Sequence, residues 1–232
     1  MKILAADTST AINTVAVCED DRILAETVVA CARAHAERLL PTVDWVLDEA
    51  GLTLDDLDAL AIAIGPGSFT GLRIGAATWK GLAFAKELPL VAVPTLDAMT
   101  RLGVFRDAVV CPLLDAKMKE VYGAVYRFDQ GRREKLTADR VCPVEDILEG
   151  LEGEVMVLGD GAAVYEDRIR AVLPDASFVA PGCSVPRASA VAAEAMALIE
   201  QGINSDAALV SPVYLRKSQA EELRARKKAP TP

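Results

Sequence analysis

Apolar positions follow two different periods along this chain. Residues 3–6, 14–18 and 22–30 form short apolar or alternating runs, divided by the polar turns Asp7-Thr8-Ser9-Thr10 and Glu19-Asp20-Asp21. Such spacing predicts three adjacent strands in an antiparallel meander. Over 33–50 the period lengthens. Leu39, Leu40, Val43, Val46 and Leu47 recur at helical intervals, and Gly51 follows where a helix commonly stops. Pro41 lies inside this stretch, and its missing N–H predicts a kink or a late start. Residues 59–64 are continuously apolar, the mark of a strand buried on both faces. Gly65-Pro66-Gly67 breaks that strand, Ser68 or Thr70 is placed to cap a long helix reaching about 87, and 90–93 is apolar again. Strand, helix and strand in that order predict a βαβ crossover, with a short helix over 95–102.

The pattern then restarts. Residues 108–114 predict a strand ending at Asp115, as the first ends at Asp7. Strands are expected over 121–128, 135–141 and 154–158, the last followed by Gly159-Asp160-Gly161. A helix over 186–201 is closed by Gly202, and a polar tail covers 216–232. The chain therefore reads as an α/β protein of two related halves, with a seam at 103–107.

Composition narrows the function classes. With 52% hydrophobic residues in 232, the chain can bury a core without disulfides or metal. A net charge of −9 disfavours nucleic-acid binding by the chain alone. The five cysteines are scattered and form no C-x-x-C pair, which fits free thiols, small buried residues and a reducing cytoplasm. The first residues reach Asp7 too early for a secretory leader, and no run approaches the ~18 apolar residues of a membrane span. His35 is the single histidine, so one chain cannot build a two-histidine zinc site. A Ser-His-Asp triad would have to use His35, and no G-x-S-x-G elbow accompanies it.

Residues 65–75 are the most unusual stretch. A glycine-rich turn opening a helix is a potential phosphate cradle, but this one has no G-K-[ST] ending, and Thr70 stands where G-x-G-x-x-G needs its third glycine. Gly67, Gly71 and Gly75 also form a row four residues apart that Trp79 continues, while Ala77, Gly81 and Ala85 form a second. Glycine within a helix costs about 1 kcal/mol relative to alanine, so several imply close packing in return. Packing inside the chain's own core and packing on another protein's helix both fit. Asp7, Thr8 and Ser9 can bind a cation or phosphate after a buried strand, or close their own turn. Asp115 carries the same two readings. Gly159 and Gly161 can approach a nucleobase or simply turn the chain from strand to helix.

Five segments together resemble the TsaB (YeaZ) family of bacterial tRNA modification. They are Ile3-Leu4-Ala5-Ala6-Asp7-Thr8-Ser9-Thr10, His35 with Glu37-Arg38-Leu39-Leu40-Pro41, the 65–75 run, Leu114-Asp115-Ala116-Lys117-Met118 with Glu120-Val121-Tyr122, and Pro212-Val213-Tyr214-Leu215-Arg216. Ala36 and Lys119 depart from the family's usual small polar residue and glycine. The resemblance implies an actin/Hsp70/sugar-kinase (ASKHA) fold of two RNase H-like lobes: 1–105, with partner-binding helices, and a reduced 106–232 with the tail. It implies a non-catalytic scaffold that activates the catalytic subunit TsaD, joined by the ATPase TsaE. That assembly transfers threonylcarbamoyl from threonylcarbamoyl-AMP to N6 of adenosine 37 in ANN-decoding tRNAs. Partner-binding residues are then expected at His35, Leu39, Val43, Val46, Phe69, Gly71, Leu72, Gly75 and Trp79. On that expectation Gly71→Leu or Gly75→Leu leaves the fold intact and abolishes the heterodimer.

Asp7, Thr8, Ser9, Asp115, Gly159 and Gly161 correspond to a degenerate nucleotide cleft, with Lys117 and Met118 filling the space the family's glycine leaves. The resemblance implies no cofactor or metal of the chain's own, residual ATP or ADP only within the complex, a homodimer when TsaD is absent, tRNA only through the complex, and no membrane. The competing readings are an ATP-dependent phosphotransferase using Asp7 and Asp115, and a peptidase.

Overall fold

A computed structural model describes residues 1–30, 35–103, 105–203 and 207–216, with the backbone alone at 35 and 36. Strands β1 (Lys2–Asp7), β2 (Ile12–Glu19) and β3 (Arg22–Ala30) form the expected meander. Helix α1 (His35–Glu49) runs unbroken through Pro41, so the expected late start is wrong. Pro41 is exposed, and the Glu37 carbonyl it leaves without a donor belongs to an exposed residue where water can serve. The start expected at 33 lies outside the described residues.

Strand β4 (Ala59–Gly65), helix α2 (Phe69–Lys86) and strand β5 (Leu90–Pro94) make the βαβ unit, and the five strands order as β3-β2-β1-β4-β5. The two faces of this sheet differ in side-chain size. Leu4, Val15, Val17, Leu60, Ile62 and Leu90 meet Leu39, Val43 and Val46 of α1 and Trp79 of α2. The other face is built largely of alanines, Ala5, Ala16, Ala59, Ala61 and Ala63. Small residues let a helix lie close, and α7 (Ala188–Glu200) fills that face with Ala188, Val191, Ala192 and Ala195. The sequence division placed this helix with the second half, yet it packs on the first sheet.

Helix α3 (Thr95–Met99) joins the halves: Ala98 faces the first sheet, while Leu96 and Met99 enter the core beneath the second. The second sheet is centred on β6 (Ala108–Lys117), which passes Asp115 rather than ending there. The single strand expected over 121–128 is divided into β7 (Glu120–Gly123) and β8 (Tyr126–Asp129). Both pair with β6 in one register, Leu113 opposite Gly123 and Val110 opposite Tyr126. The gap falls opposite Cys111 and Pro112, and proline cannot donate to the ladder. The strand expected over 135–141 is replaced by β9 (Arg132–Lys135) and β10 (Arg140–Cys142). Between them Val125 N donates to Thr137 Oγ1 and Leu136 N to the Val125 carbonyl, which turns the chain out of line. Strands β11 (Val155–Leu158) and β12 (Ser177–Phe178) complete the sheet. Helix α5 (Asp160–Val164) follows β11 at the glycine turn, and two further short helices, α4 (Val144–Leu148) and α6 (Glu166–Val172), are additions to the expected elements. Residues 207–214 return to the first half, where Lys80 of α2 donates to the carbonyls of Ala208 and Val210, both at 3.0 Å, and Arg216 then reaches Glu120 of β7 at 3.1 Å.

Among the described residues no helix is long and apolar enough to cross a membrane. Cys18 and Cys111 are buried, and burial pushes both thiols up to about 12. Cys142 is half-buried and Cys183 exposed, so burial does not extend to every cysteine as expected. Cys31 lies outside the described residues.

Candidate functional site

The end of β1 is fastened to the start of α2. Ser68 caps the helix, accepting from Gly71 N, and Ser68 N donates to the Ser9 carbonyl at 2.6 Å. Thr8 Oγ1 donates to the Gly71 carbonyl at 2.9 Å. These contacts require glycine. A Cβ at Gly71 would stand 2.0 Å from the Thr8 carbonyl oxygen, one at Gly75 2.3 Å from Thr8 Oγ1, and one at Gly67 2.4 Å from the Ser9 carbonyl oxygen. Trp79 continues the row, fully buried, with Nε1 directed at the Leu4 carbonyl at 3.4 Å. The first glycine row therefore seats α2 on its own sheet, and the turn closes on protein atoms rather than forming an open anion cradle.

This geometry corrects most of the expected partner-binding set. Leu39, Val43, Val46, Leu72 and Trp79 are at most 1% exposed, and Gly71 and Gly75 face Thr8. None offers a side chain to a second protein. Periodicity marked the faces of α1 and α2 that pack on the chain's own sheet. Phe69 is half-buried, packed on Tyr214 with ring centroids 4.5 Å apart, and the Arg73 guanidinium lies 3.9 Å from its ring centre and donates to the Tyr214 hydroxyl. The His35 side chain lies outside the described residues. The outward face of α2 carries the second row, Ala77, Gly81 and Ala85, together with Phe84, which is 87% exposed. Helix α1 adds Leu40 and Trp45, each about half exposed. A Cβ at Gly81 would meet nothing within 4 Å. Gly81→Ala is therefore expected to stabilise the isolated chain by about 0.5–1 kcal/mol, read as a higher urea midpoint.

The cleft residues form two separate clusters. In the first, Asp7 Oδ1 accepts from Ser9 N at 2.8 Å and Ser9 Oγ at 2.7 Å, which is the self-closing turn. Its Oδ2 is buried and has no hydrogen-bond partner among the described residues. Burial pushes the Asp7 carboxyl up, and the Ser9 hydrogen bonds offset this in part. A carboxyl raised on folding favours the proton-bound native state, so stability falls as pH rises from 3.8 towards the raised value. Asp7→Asn keeps the acceptor for Ser9 and removes the charge. It is expected to raise Tm at pH 7, with the gain shrinking as the pH falls from the raised value towards 3.8.

In the second cluster Asp115 Oδ2 receives Lys117 Nζ at 2.6 Å, while Oδ1 receives Lys117 N at 2.9 Å and the Tyr165 hydroxyl at 3.2 Å. Burial raises the Asp115 carboxyl, but the Lys117 and Tyr165 contacts outweigh it and hold the group below the usual carboxylate range. Lys117 thus occupies the carboxylate, whereas Met118 is mostly exposed and does not fill the space as expected. Asp160 Oδ1 accepts from Asp115 N at 3.0 Å. Gly159 has φ +101°, and a Cβ there would stand 2.0 Å from the Leu113 carbonyl oxygen; a Cβ at Gly161 would stand 3.0 Å from the backbone of the same strand. Both glycines let α5 lie on β6, and Ser184 Oγ accepts from Gly159 N. Among the described residues no three His, Cys, Asp or Glu side chains are grouped to hold a metal.

The comparisons with known proteins agree with this architecture. The family profile described as "TsaD: tRNA N6-adenosine threonylcarbamoyltransferase" matches residues 28–223. The "tRNA threonylcarbamoyladenosine biosynthesis protein TsaB" of Bacillus subtilis is 31% identical over 225 residues, covering 95% of this chain and 96% of that protein. The solved structure of YeaZ from Pseudomonas aeruginosa superposes with a TM-score of 0.79 at 32% identity, over 92% of this chain and 99% of that one. The Clostridium difficile activator of 2-hydroxyisocaproyl-CoA dehydratase, solved with bound ADPNP, matches at TM-score 0.51 and 9% identity, a likeness of fold alone. The fold is accordingly of the ASKHA type.

Proposed function

The chain belongs to the TsaB family of tRNA threonylcarbamoyladenosine biosynthesis proteins, and we propose that within it the chain is a non-catalytic scaffold that docks on TsaD. The observation that carries this reading is the outward face of α2. Ala77, Gly81 and Ala85 form a row without bulk, so a partner helix can approach at the short end of the ~8–10 Å range. Phe84 stands beside the row as a large exposed apolar anchor, and Leu40 and Trp45 on α1 extend the apolar surface. This face replaces the buried residues of the sequence expectation. A second copy of the chain meets the same face when TsaD is absent.

Two features support a scaffold rather than a catalyst. Lys117 engages the Asp115 carboxylate, which a phosphotransferase would need for its metal-bound nucleotide. One histidine in the sequence cannot supply a histidine pair. The chain then acts by holding TsaD in its working arrangement, with TsaE joining the pair, while threonylcarbamoyl passes to N6 of adenosine 37 of ANN-decoding tRNAs. The tRNA is met through the complex, in the cytoplasm.

Size-exclusion chromatography with light scattering tests this, using TsaD from the same source. A 1:1 complex is expected from the unaltered chain. Gly81→Arg and Phe84→Asp should remain folded and lose it, because both alter exposed positions only. A complex that survives both changes would remove α2 from the interface. No complex with the unaltered chain would remove the scaffold reading.

A further inference from the structure

Away from the cleft, α3, the β8–β9 hairpin and the end of α7 enclose an open hollow of about 300 Å³. Its lining includes Thr100, Arg101, Phe128, Arg132, Arg133 and Gln201. We propose that this hollow is a binding site for a phosphate group.

The argument rests on a surplus of guanidinium groups. Glu194 of α7 lies behind the hollow with its side chain only 3% exposed. Arg133 alone satisfies both of its oxygens, donating to Oε1 at 2.5 Å and to Oε2 at 2.9 Å. Arg101 adds a second guanidinium through Nε, at 2.7 Å from Oε2. Its two terminal nitrogens make no hydrogen bond among the described residues, and the side chain is partly exposed. Arg132 has no side-chain partner among the described residues and is exposed at the rim. Two guanidiniums therefore share one carboxylate and a third stands at the rim, in a chain whose net charge is −9. Of the nearby carboxylates, Asp97 is paired with Lys135 at 2.8 Å, and Asp129 stands opposite Arg132 in the β8–β9 ladder without an ion pair among the described residues.

The unused donors are planar forks, the geometry that suits phosphate oxygens. Gln201 brings an amide to the same space, and Phe128 forms an apolar wall. Helices α3 and α7 both end here, and their carbonyl ends oppose an anion. Arg133 offsets this at α3, donating to the Asp97 carbonyl at 3.0 Å and to Thr100 Oγ1 at 2.9 Å. The phosphate can belong to a free nucleotide or to an RNA backbone; both present the same oxygens.

The test uses the full chain without partners, so its outcome is independent of TsaD docking. Inorganic phosphate is titrated calorimetrically at constant ionic strength in chloride. Saturable millimolar binding is expected, weakened about tenfold by Arg132→Ala. Arg101→Lys keeps the charge facing Glu194 but loses the fork, and should weaken binding similarly. Circular dichroism and urea midpoints establish that both variants fold. A second arm compares AMP with a 12-nucleotide single-stranded RNA. Arg132-dependent binding that is tighter for RNA assigns the site to backbone phosphates, and the reverse assigns it to a nucleotide; either outcome supports the site. No saturable binding of phosphate by the unaltered chain, or binding unchanged in both variants, overturns it.

Discussion

Gly71→Ala is expected to destabilise the chain by about 3 kcal/mol or more, at the upper end of what overpacking costs. The new methyl carbon would lie 2.0 Å from the Thr8 carbonyl oxygen, inside any tolerable contact. That oxygen is backbone, so no side-chain rotation relieves the clash. Helix α2 must instead lift from β1, which breaks the Thr8 Oγ1 bond to the Gly71 carbonyl and loosens Trp79 and Leu72 in the core beneath. Against a typical total of about 5–15 kcal/mol this is a large fraction. Urea unfolding followed by tryptophan fluorescence measures it directly, since Trp79 is fully buried. Gly81→Ala is the internal control: the same substitution in the same helix, with the opposite sign expected. A Gly71→Ala midpoint equal to the unaltered chain's would mean that α2 does not depend on this close approach. Gly71→Leu, with its larger side chain, should fail to fold, so lost TsaD binding in that variant would carry no information about the interface.

Glu194→Ala should lower stability by about 3–5 kcal/mol, the usual consequence of removing one partner from a buried ion pair. Glu194 holds Arg133 and Arg101 together, and Arg133 belongs to β9 in the second half while α7 lies on the first sheet. Removing the carboxylate leaves the Arg133 guanidinium partly buried beside Arg101 with no anion between them. The loss should concentrate at the junction, so unfolding is expected to become less cooperative, with a lower urea m-value. Glu194→Met combined with Arg133→Met tests the cause. If the destabilisation comes from an unpaired buried charge, the double variant recovers much of it. If it comes from lost packing, the two single effects add. A single-variant loss below about 1 kcal/mol would show that the junction rests on α3 and the apolar cores instead.

Much of the architecture was legible because its elements are long or strongly patterned. The meander, the βαβ unit and α7 each carry several turns or pleats of apolar residues, so periodicity resolves them. Helices α4, α5 and α6 span five to seven residues, too few for a 3.6-residue period to stand out. The division of the 121–128 strand arises in a different segment, at Pro112 of its neighbour, and pairing across strands is not written in either run alone. Part of the site was readable as well. Asp115 and Lys117 are two residues apart, and the resemblance implied that Lys117 and Met118 fill the space beside Asp115; in the structure Lys117 pairs with Asp115 while Met118 is exposed.

The sequence by itself determined the family, the two-half α/β plan and the helix that carries both small-residue rows, because these depend on local order and periodicity. Only the tertiary structure decided which row faces inward. Both rows repeat at helical spacing, and nothing local distinguishes Gly71 and Gly75 from Ala77 and Gly81. The choice is made by the Thr8 carbonyl and hydroxyl, more than sixty residues away in the chain, which leave no room for a side chain on one face of α2 and none of whose atoms reach the other.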